Sequence, residues 1–189
     1  MTTDERLELF KKSGAFLEGH FLLSSGLHSP QYVEKFRVLE YPEYTEKLCL
    51  DIAEFFKNDN IELVIGPMTG GIILAHETAK ALKVRSMFTE RVDNVMAFRR
   101  GFNFKKGTRI LIVEDIVTTG GSIFEVIELI KSLEGEIIGV GYLVDRSGGK
   151  VNFGMKQYPL VNLDIVTYPQ DSCPLCKANI NLIKPGSKK

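Results

Sequence analysis

The sequence has no apolar stretch long enough to cross a bilayer. Its longest runs, such as Leu111 to Val113, fall far short of the roughly 20 residues a spanning helix needs. The opening segment MTTDERLELFKK lacks the apolar core of a secretory signal. Neither sign of charge is in surplus: 24 Lys and Arg face 24 Asp and Glu, which argues against a general nucleic-acid binder. Cysteine is scarce, and the odd count of three speaks against a disulfide framework, so a reducing cytoplasm is the expected compartment. Tryptophan is absent. The 17 glycines follow no three-residue period, which excludes collagen. Internal repeats and low-complexity tracts are missing as well.

What is present suits one ordinary globular domain. A chain of 189 residues can bury a full core, and 44% apolar residues are too many for a disordered chain. Thr3 to Lys12 reads as a short amphipathic helix with Leu7, Leu9 and Phe10 as its apolar members. Gly14 to Phe36 is rich in Gly, Ser and aromatics and predicts short strands and turns. A helix should start with Pro42 at its first position and run through Lys57. From there apolar strands alternate with helices. Leu63 to Ile65 ends at Gly66-Pro67, and Gly70-Gly71 opens a helix bearing Ile72, Ile73, Ala75, Ala79 and Leu82. Arg85 to Glu90 and Arg109 to Glu114 read as strands, the latter the strongest. Ile123, Val126, Ile127, Ile130 and Leu133 form one helical stripe. Ile137 to Val144 is a buried strand, and Leu160 to Ile165 is a weaker one. The polar end, Lys184 to Lys189, reads as a frayed tail. The alternation predicts an α/β fold with a parallel sheet, whose ligands bind beyond the carboxyl ends of the strands.

One of those ends carries the informative segment, Ile110 to Ser122. A buried strand delivers Glu114 and Asp115, and then Thr118-Thr119-Gly120-Gly121-Ser122 leads into a helix. Backbone N–H groups in such a loop converge on a phosphate, and the helix N-terminus adds positive potential. No Gly-Lys-Ser/Thr follows, so this is not the nucleotide P-loop. Paired carboxylates would repel a bare phosphate. They suit a phosphorylated sugar, whose hydroxyls need acceptors.

The segment is similar to the phosphoribosyl pyrophosphate signature of the type I phosphoribosyltransferases. The resemblance implies that family's fold: a central, mostly parallel sheet flanked by helices, with an N-terminal hood and a flexible lid. The whole chain, 1–189, would be one domain, with helix and hood over 1–40, the core sheet over 61–166 and the lid over 91–106. Glu114 and Asp115 would hold the ribose hydroxyls and oppose positive charge at C1. Ile116, Val117, Thr118, Thr119, Gly120, Gly121 and Ser122 would hold the 5-phosphate, and Thr69, Gly70 and Gly71 the pyrophosphate.

Further residues resemble the orotate-using members. Gly14 to Pro30 is similar to the hood that covers the pyrimidine, with Ser25-Gly26-Leu27-His28-Ser29-Pro30 as its core. The resemblance assigns Ser25, Gly26 and Thr118 to the base, and Arg146 in Val144-Asp145-Arg146 to the orotate carboxylate. It implies transfer of a phosphoribosyl group to orotate in pyrimidine biosynthesis. Mg²⁺ would be held through the substrate rather than by a protein ligand. A homodimer is implied, with lid residues reaching the neighbouring site, and neither a nucleic-acid nor a membrane partner.

Two positions depart from the family pattern. Ser24 stands where many members have Lys, and the loop Pro67 to Gly71 has no basic residue. Basic residues of the lid offer compensation, and the resemblance carries pyrophosphate contact to Arg91, Arg99 and Arg100, with Arg91 favoured as it follows a strand end. A solvated β-hairpin is the competing reading of this stretch, and Lys105 and Lys106 fit a surface turn. The remaining alternatives are a transferase for a purine or other base, a regulator that binds the same sugar donor and DNA, and a non-catalytic subunit. The length leaves no room for a fused decarboxylase or a DNA-binding module.

Cys173-Pro174-Leu175-Cys176 would need a second ligand pair to bind metal, and only Cys49 and distant histidines remain. It reads as a carboxyl-terminal turn with two thiols. His20 and His28 read as structural, His76 as packed or partly exposed, and Tyr32 as a candidate to line the base pocket.

Overall fold

The structure, a computed structural model, describes residues 1–23 and 25–185. Ser24 and the last four residues of the polar tail lie outside the described residues. Helix α1 spans Thr3–Lys12, and its start is set by a capping box in which Thr2 and Glu5 satisfy each other's backbone N–H. The glycine-rich stretch forms an antiparallel hairpin of β1 (Phe16–Leu22) and β2 (His28–Val33). A short α2 (Phe36–Leu39) and a long α3 (Pro42–Phe56) follow, with Pro42 in the first turn as predicted.

The main sheet contains β3 (Leu63–Pro67), β4 (Arg85–Val92), β5 (Val95–Ala97), β6 (Arg109–Val117), β7 (Glu136–Asp145) and β8 (Lys156–Asn162). Their order is β5-β4-β3-β6-β7-β8. Five run parallel, and β5 alone is antiparallel, joined to β4 as a hairpin. Helices α4 (Gly70–Leu82) and α5 (Gly121–Ser132) connect successive parallel strands. A four-residue helix, α6 (Pro174–Lys177), lies near the carboxyl end.

Strand alternation builds two cores. Val64, Leu111 and Val113 face α1, α3 and α4 through Leu9, Phe10, Leu48, Ile52, Leu74 and Ala75. Leu63, Ile65, Ile110 and Ile112 face the opposite side and pack on Ile123, Val126, Ile127 and Ile130 of α5. Each such buried Val, Leu, Ile or Phe contributes roughly 1.5–3 kcal/mol of transfer free energy. With both faces covered, β3 and β6 are buried along nearly their whole length, as their unbroken apolar runs imply.

Three details differ from expectation. The buried face of α4 is Leu74, Ala75, Thr78 and Ala79, while Ile73 is exposed; a helix so apolar on several sides cannot be oriented from its pattern alone. Strand β8 starts at Lys156 and contains Pro159, which a ladder tolerates because β8 is an edge strand. Leu163 and Ile165 pack on the core outside any strand. Finally, the Cys-x-x-Cys segment is not an isolated turn. His20 and His28, remote in sequence, converge on Cys173 and Cys176.

Candidate active site

Strand β6 runs three residues past Glu114, so both acids lie inside the sheet near its carboxyl edge. Both are buried. Burial first, and the Asp115 charge second, push the Glu114 carboxyl up to about 8. The Asp115 backbone N–H donates to Glu114 Oε1 at 2.9 Å. Lys35, just after the hairpin, places Nζ 2.9 Å from Asp115 Oδ1 and 2.7 Å from Oδ2. Burial works against that ammonium, but the Asp115 carboxylate outweighs it and holds the Lys35 pKa above the ordinary lysine value. Sequence reading missed Lys35. The Glu34-Lys35 pair after β2 looks like any solvated turn, and only the fold sets it against the acids.

Beyond the acids, among the described residues, the N–H groups of Thr118, Thr119 and Gly120 donate to no protein acceptor. Those of Gly121, Ser122 and Ile123 are free by helix geometry, since the first intrahelical bond is Phe124 N–H to Gly120 O at 2.9 Å. The loop is therefore an array of unpaired donors on a helix N-terminus, suited to an oxyanion. Gly120 has φ +75°, and a Cβ there would come within 2.9 Å of Val151 and Phe153. Thr118 and Thr119 are exposed at the loop.

The loop after β3 lies against the same acids. A Cβ on Gly70 would sit 1.9 Å from Asp115 Oδ2. Thr69 is exposed, Gly70 and Gly71 open α4, and the Met68–Thr69 peptide is cis.

Arg146 follows β7, anchored by its N–H to Val117 O at 2.8 Å. Its guanidinium is partly buried, its Nε makes no hydrogen bond among the described residues, and burial lowers its pKa. A buried, unpaired guanidinium edge is a site for an anionic ligand group. Tyr32 on β2 lies within electrostatic reach of Arg146, Lys35 and Asp115, and its hydroxyl pKa is raised chiefly by burial. The structure thus brings Glu114, Asp115, Lys35, Tyr32, Gly70 and Arg146 to one edge of the sheet. Ser25 and Gly26 form the hairpin turn, and among the described residues no hydrogen bond joins them to that group.

Arg91 does not follow a strand end, as its sequence context suggested. It lies within β4 and forks onto Glu125 of α5, with contacts of 2.5 and 2.8 Å. Arg100 pairs with Glu90 at 3.3 Å, and Arg99 has no ion pair among the described residues. The stretch is a β-hairpin whose return carries Phe98, Phe102 and Phe104 against the second core. Lys106 pairs with Glu134 beside the Gly107 turn. His76 is exposed, and its ring lies 4.0 Å from Glu77.

A family model for the phosphoribosyl transferase domain matches residues 44–167. The chain is 53% identical, over 189 residues and the full length of both proteins, to an orotate phosphoribosyltransferase of Caldanaerobacter subterraneus subsp. tengcongensis. It is 48% identical over 181 residues to that of Thermotoga maritima, covering 96% of this chain and 97% of the relative. The crystal structure of orotate phosphoribosyltransferase from Aeropyrum pernix superimposes with a TM-score of 0.70 at 28% identity, over 82% of this chain and 92% of that one. An adenine phosphoribosyltransferase of Rhodothermus marinus shares the fold with a TM-score of 0.67 at 19% identity, over 85% and 99%.

Proposed function

The chain belongs to the phosphoribosyl transferase family, among its orotate phosphoribosyltransferases, and we propose that it transfers the 5-phosphoribosyl group of phosphoribosyl pyrophosphate to N1 of orotate, releasing pyrophosphate and orotidine 5-phosphate. The observation that carries this reading is the buried Glu114–Asp115 pair facing a loop of unpaired N–H donors, with an unpaired guanidinium edge on Arg146 nearby. Fold alone would not choose the base, since adenine transferases share it.

The donor's 5-phosphate lies on the N–H groups of Thr118 to Ser122, with Ile116 and Val117 carrying the loop from the strand. Its ribose hydroxyls donate to Glu114 and Asp115. As the bond from C1 to pyrophosphate breaks, positive charge grows at the sugar, and the acids oppose it. Lys35 bonds to Asp115 and holds it in place beside the sugar, while burial holds the Glu114 carboxyl up to about 8. The bond from C1 to N1 of orotate then forms, and the N1 proton passes to an oxygen of the departing pyrophosphate. Arg146 takes the orotate carboxylate, and Thr118, Tyr32 and the hood turn at Ser25-Gly26 close around the base. The chemistry is positioning and charge stabilisation.

Thr69, Gly70 and Gly71 receive the pyrophosphate at the N-terminus of α4. Mg²⁺ fits a site of hard carboxylate oxygens, and when bound it offsets charge on the departing pyrophosphate. Glu114 and Asp115 are the residues that would lie beside it, with the ion held through the substrate. Arg99 and Arg100, with Arg91 near the tip of the hairpin, form the lid that excludes water and reaches a partner subunit's site in a homodimer. No helix among the described residues is long and apolar enough to cross a membrane. Three free thiols fit a reducing cytoplasm.

The test is turnover with orotate, hypoxanthine and adenine, each with the sugar donor and Mg²⁺. Orotate alone should be consumed, and only with the donor present. Turnover of a purine instead would overturn the assignment.

A further inference from the structure

His20, His28, Cys173 and Cys176 place one ligand atom each within 4.8 Å of all the others. Cys173 Sγ lies 3.6 Å from His20 Nε2, and Cys176 Sγ lies 3.7 Å from His20 Nε2 and 3.3 Å from His28 Nδ1. The two ring nitrogens are 2.8 Å apart. A tetrahedron with metal–nitrogen bonds of about 2.0–2.1 Å and metal–sulfur bonds of about 2.3 Å has edges of roughly 3.3 Å between nitrogens and roughly 3.5 Å between nitrogen and sulfur. The nitrogen–sulfur distances match, and an ion would spread the two rings by about half an ångström.

The tautomers suit this arrangement. His20 Nδ1 lies 2.8 Å from Ile180 O, and a carbonyl only accepts, so Nδ1 carries the proton. In the neutral ring Nε2 is then a lone pair aimed into the cluster, held there by the carbonyl behind it. His20, His28 and Cys173 are buried, and Cys176 is partly so. Among the described residues no lysine or arginine bonds to any of the four. Two thiols and two imidazoles are the donor set of tetrahedral zinc, and four protein ligands leave no open position for catalysis.

Local structure aims these residues. In the hairpin ladder Glu18 pairs with Gln31 and Phe21 with Ser29, so Gly19 and His20 together oppose Pro30. Pro30 has no N–H to give, and the bulge across from it turns His20 out of the ladder and into the cluster. Cys173 and Cys176 bracket the start of α6. We propose that these four side chains form a structural zinc site that clips the β1–β2 hairpin to the carboxyl-terminal segment.

Such a clip has a purpose here. A two-stranded hairpin is marginal alone. This one is flanked by the carboxyl-terminal segment through bonds between Leu22 and Ile183, Ile183 and His20, and His28 and Tyr168. The three His–Cys contacts span 148 to 156 residues, so the ion would close a long loop, where a cross-link restrains the unfolded chain most. It would also fix the hairpin that carries Tyr32 and leads into Lys35.

The test uses the full-length protein purified with reductant and without chelator. Elemental analysis should find about one zinc per chain. The metal-free protein titrated with Co²⁺ should develop the intense visible bands of a tetrahedral thiolate–imidazole site. The double variant Cys173→Ser/Cys176→Ser should lose both the zinc and the bands, and amide exchange should rise in residues 16–33 and 168–183. Cys49→Ser, at the third thiol, should keep them. Absence of zinc together with absence of cobalt bands in the reduced wild-type protein would overturn the site, leaving a plain histidine–histidine hydrogen bond. Retention of the bands by the double variant would overturn it equally.

Discussion

Gly70 and Asp115 are in such close approach that a single methyl group cannot fit between them: a Cβ on Gly70 would lie 1.9 Å from Asp115 Oδ2 and 2.9 Å from its carboxyl carbon. Asp115 is buried and tied to Lys35, so it has little room to yield. Gly70→Ala should cost about 1–3 kcal/mol of stability and lower kcat/KM for phosphoribosyl pyrophosphate more than tenfold. Calorimetry and initial-rate kinetics measure both. An alanine variant with native kinetics would show that Asp115 can be displaced without consequence.

Glu114 makes stability depend on pH with a defined sign. Its carboxyl is raised from 4.5 to about 8 in the folded protein, so between these values the folded chain holds a proton that the unfolded chain has lost. Stability is therefore greatest below that window and declines as pH rises through about 8. Denaturant unfolding at about pH 6 and about pH 9 should differ by on the order of 2 kcal/mol, and Glu114→Gln should flatten the difference. Lys35→Met removes an ammonium whose charge lowers the Glu114 carboxyl. The acid limb of its kcat/KM profile should move to higher pH, and Lys35→Arg should restore it in part.

Arg146 offers a test in which binding and stability separate. Its buried Nε is unpaired among the described residues, so Arg146→Ala relieves a desolvated charge. Stability should stay level or rise. The KM for orotate should increase roughly a hundredfold, as expected for a lost charge-assisted pair, with little change for the sugar donor. Equal losses for both substrates would count against a role at the orotate carboxylate.

The hairpin arginines divide by what they touch. Arg91 is committed to Glu125, an exposed pair of roughly 0–1 kcal/mol, whereas Arg99 has no carboxylate partner among the described residues. Arg99→Ala should leave the melting temperature unchanged and cut kcat about tenfold or more. Arg91→Ala should lower stability slightly. Similar kcat losses for both would assign catalysis to the hairpin as a whole.

Much of the architecture was legible along the chain. Alternating apolar strands and helices announced the parallel sheet, Pro42 marked a helix start, and the run from Ile110 to Ser122 carried the acids and the donor loop together. These features are local, since propensity, capping and turn chemistry act over a few residues, and so does a loop that needs its own N–H groups.

The rest is non-local. Lys35 and Asp115 are 80 residues apart, and no spacing rule connects a turn lysine to a strand end. Arg6, unremarkable in an amphipathic helix, is buried against Asp51 at 2.6 Å and the Leu160 carbonyl at 3.0 Å, because α1 packs beside α3 and β8. His20 and His28 were set aside as too distant for Cys173 and Cys176, yet a bulge opposite Pro30 and the return of the carboxyl-terminal segment bring all four together. The sequence by itself determined which elements form and which loop can cradle a phosphate, because those depend on neighbours in the chain. The charge partners of the buried acids, and the cluster of two thiols and two imidazoles, were decided only in the folded state, where sheet order and helix packing choose which remote side chains meet.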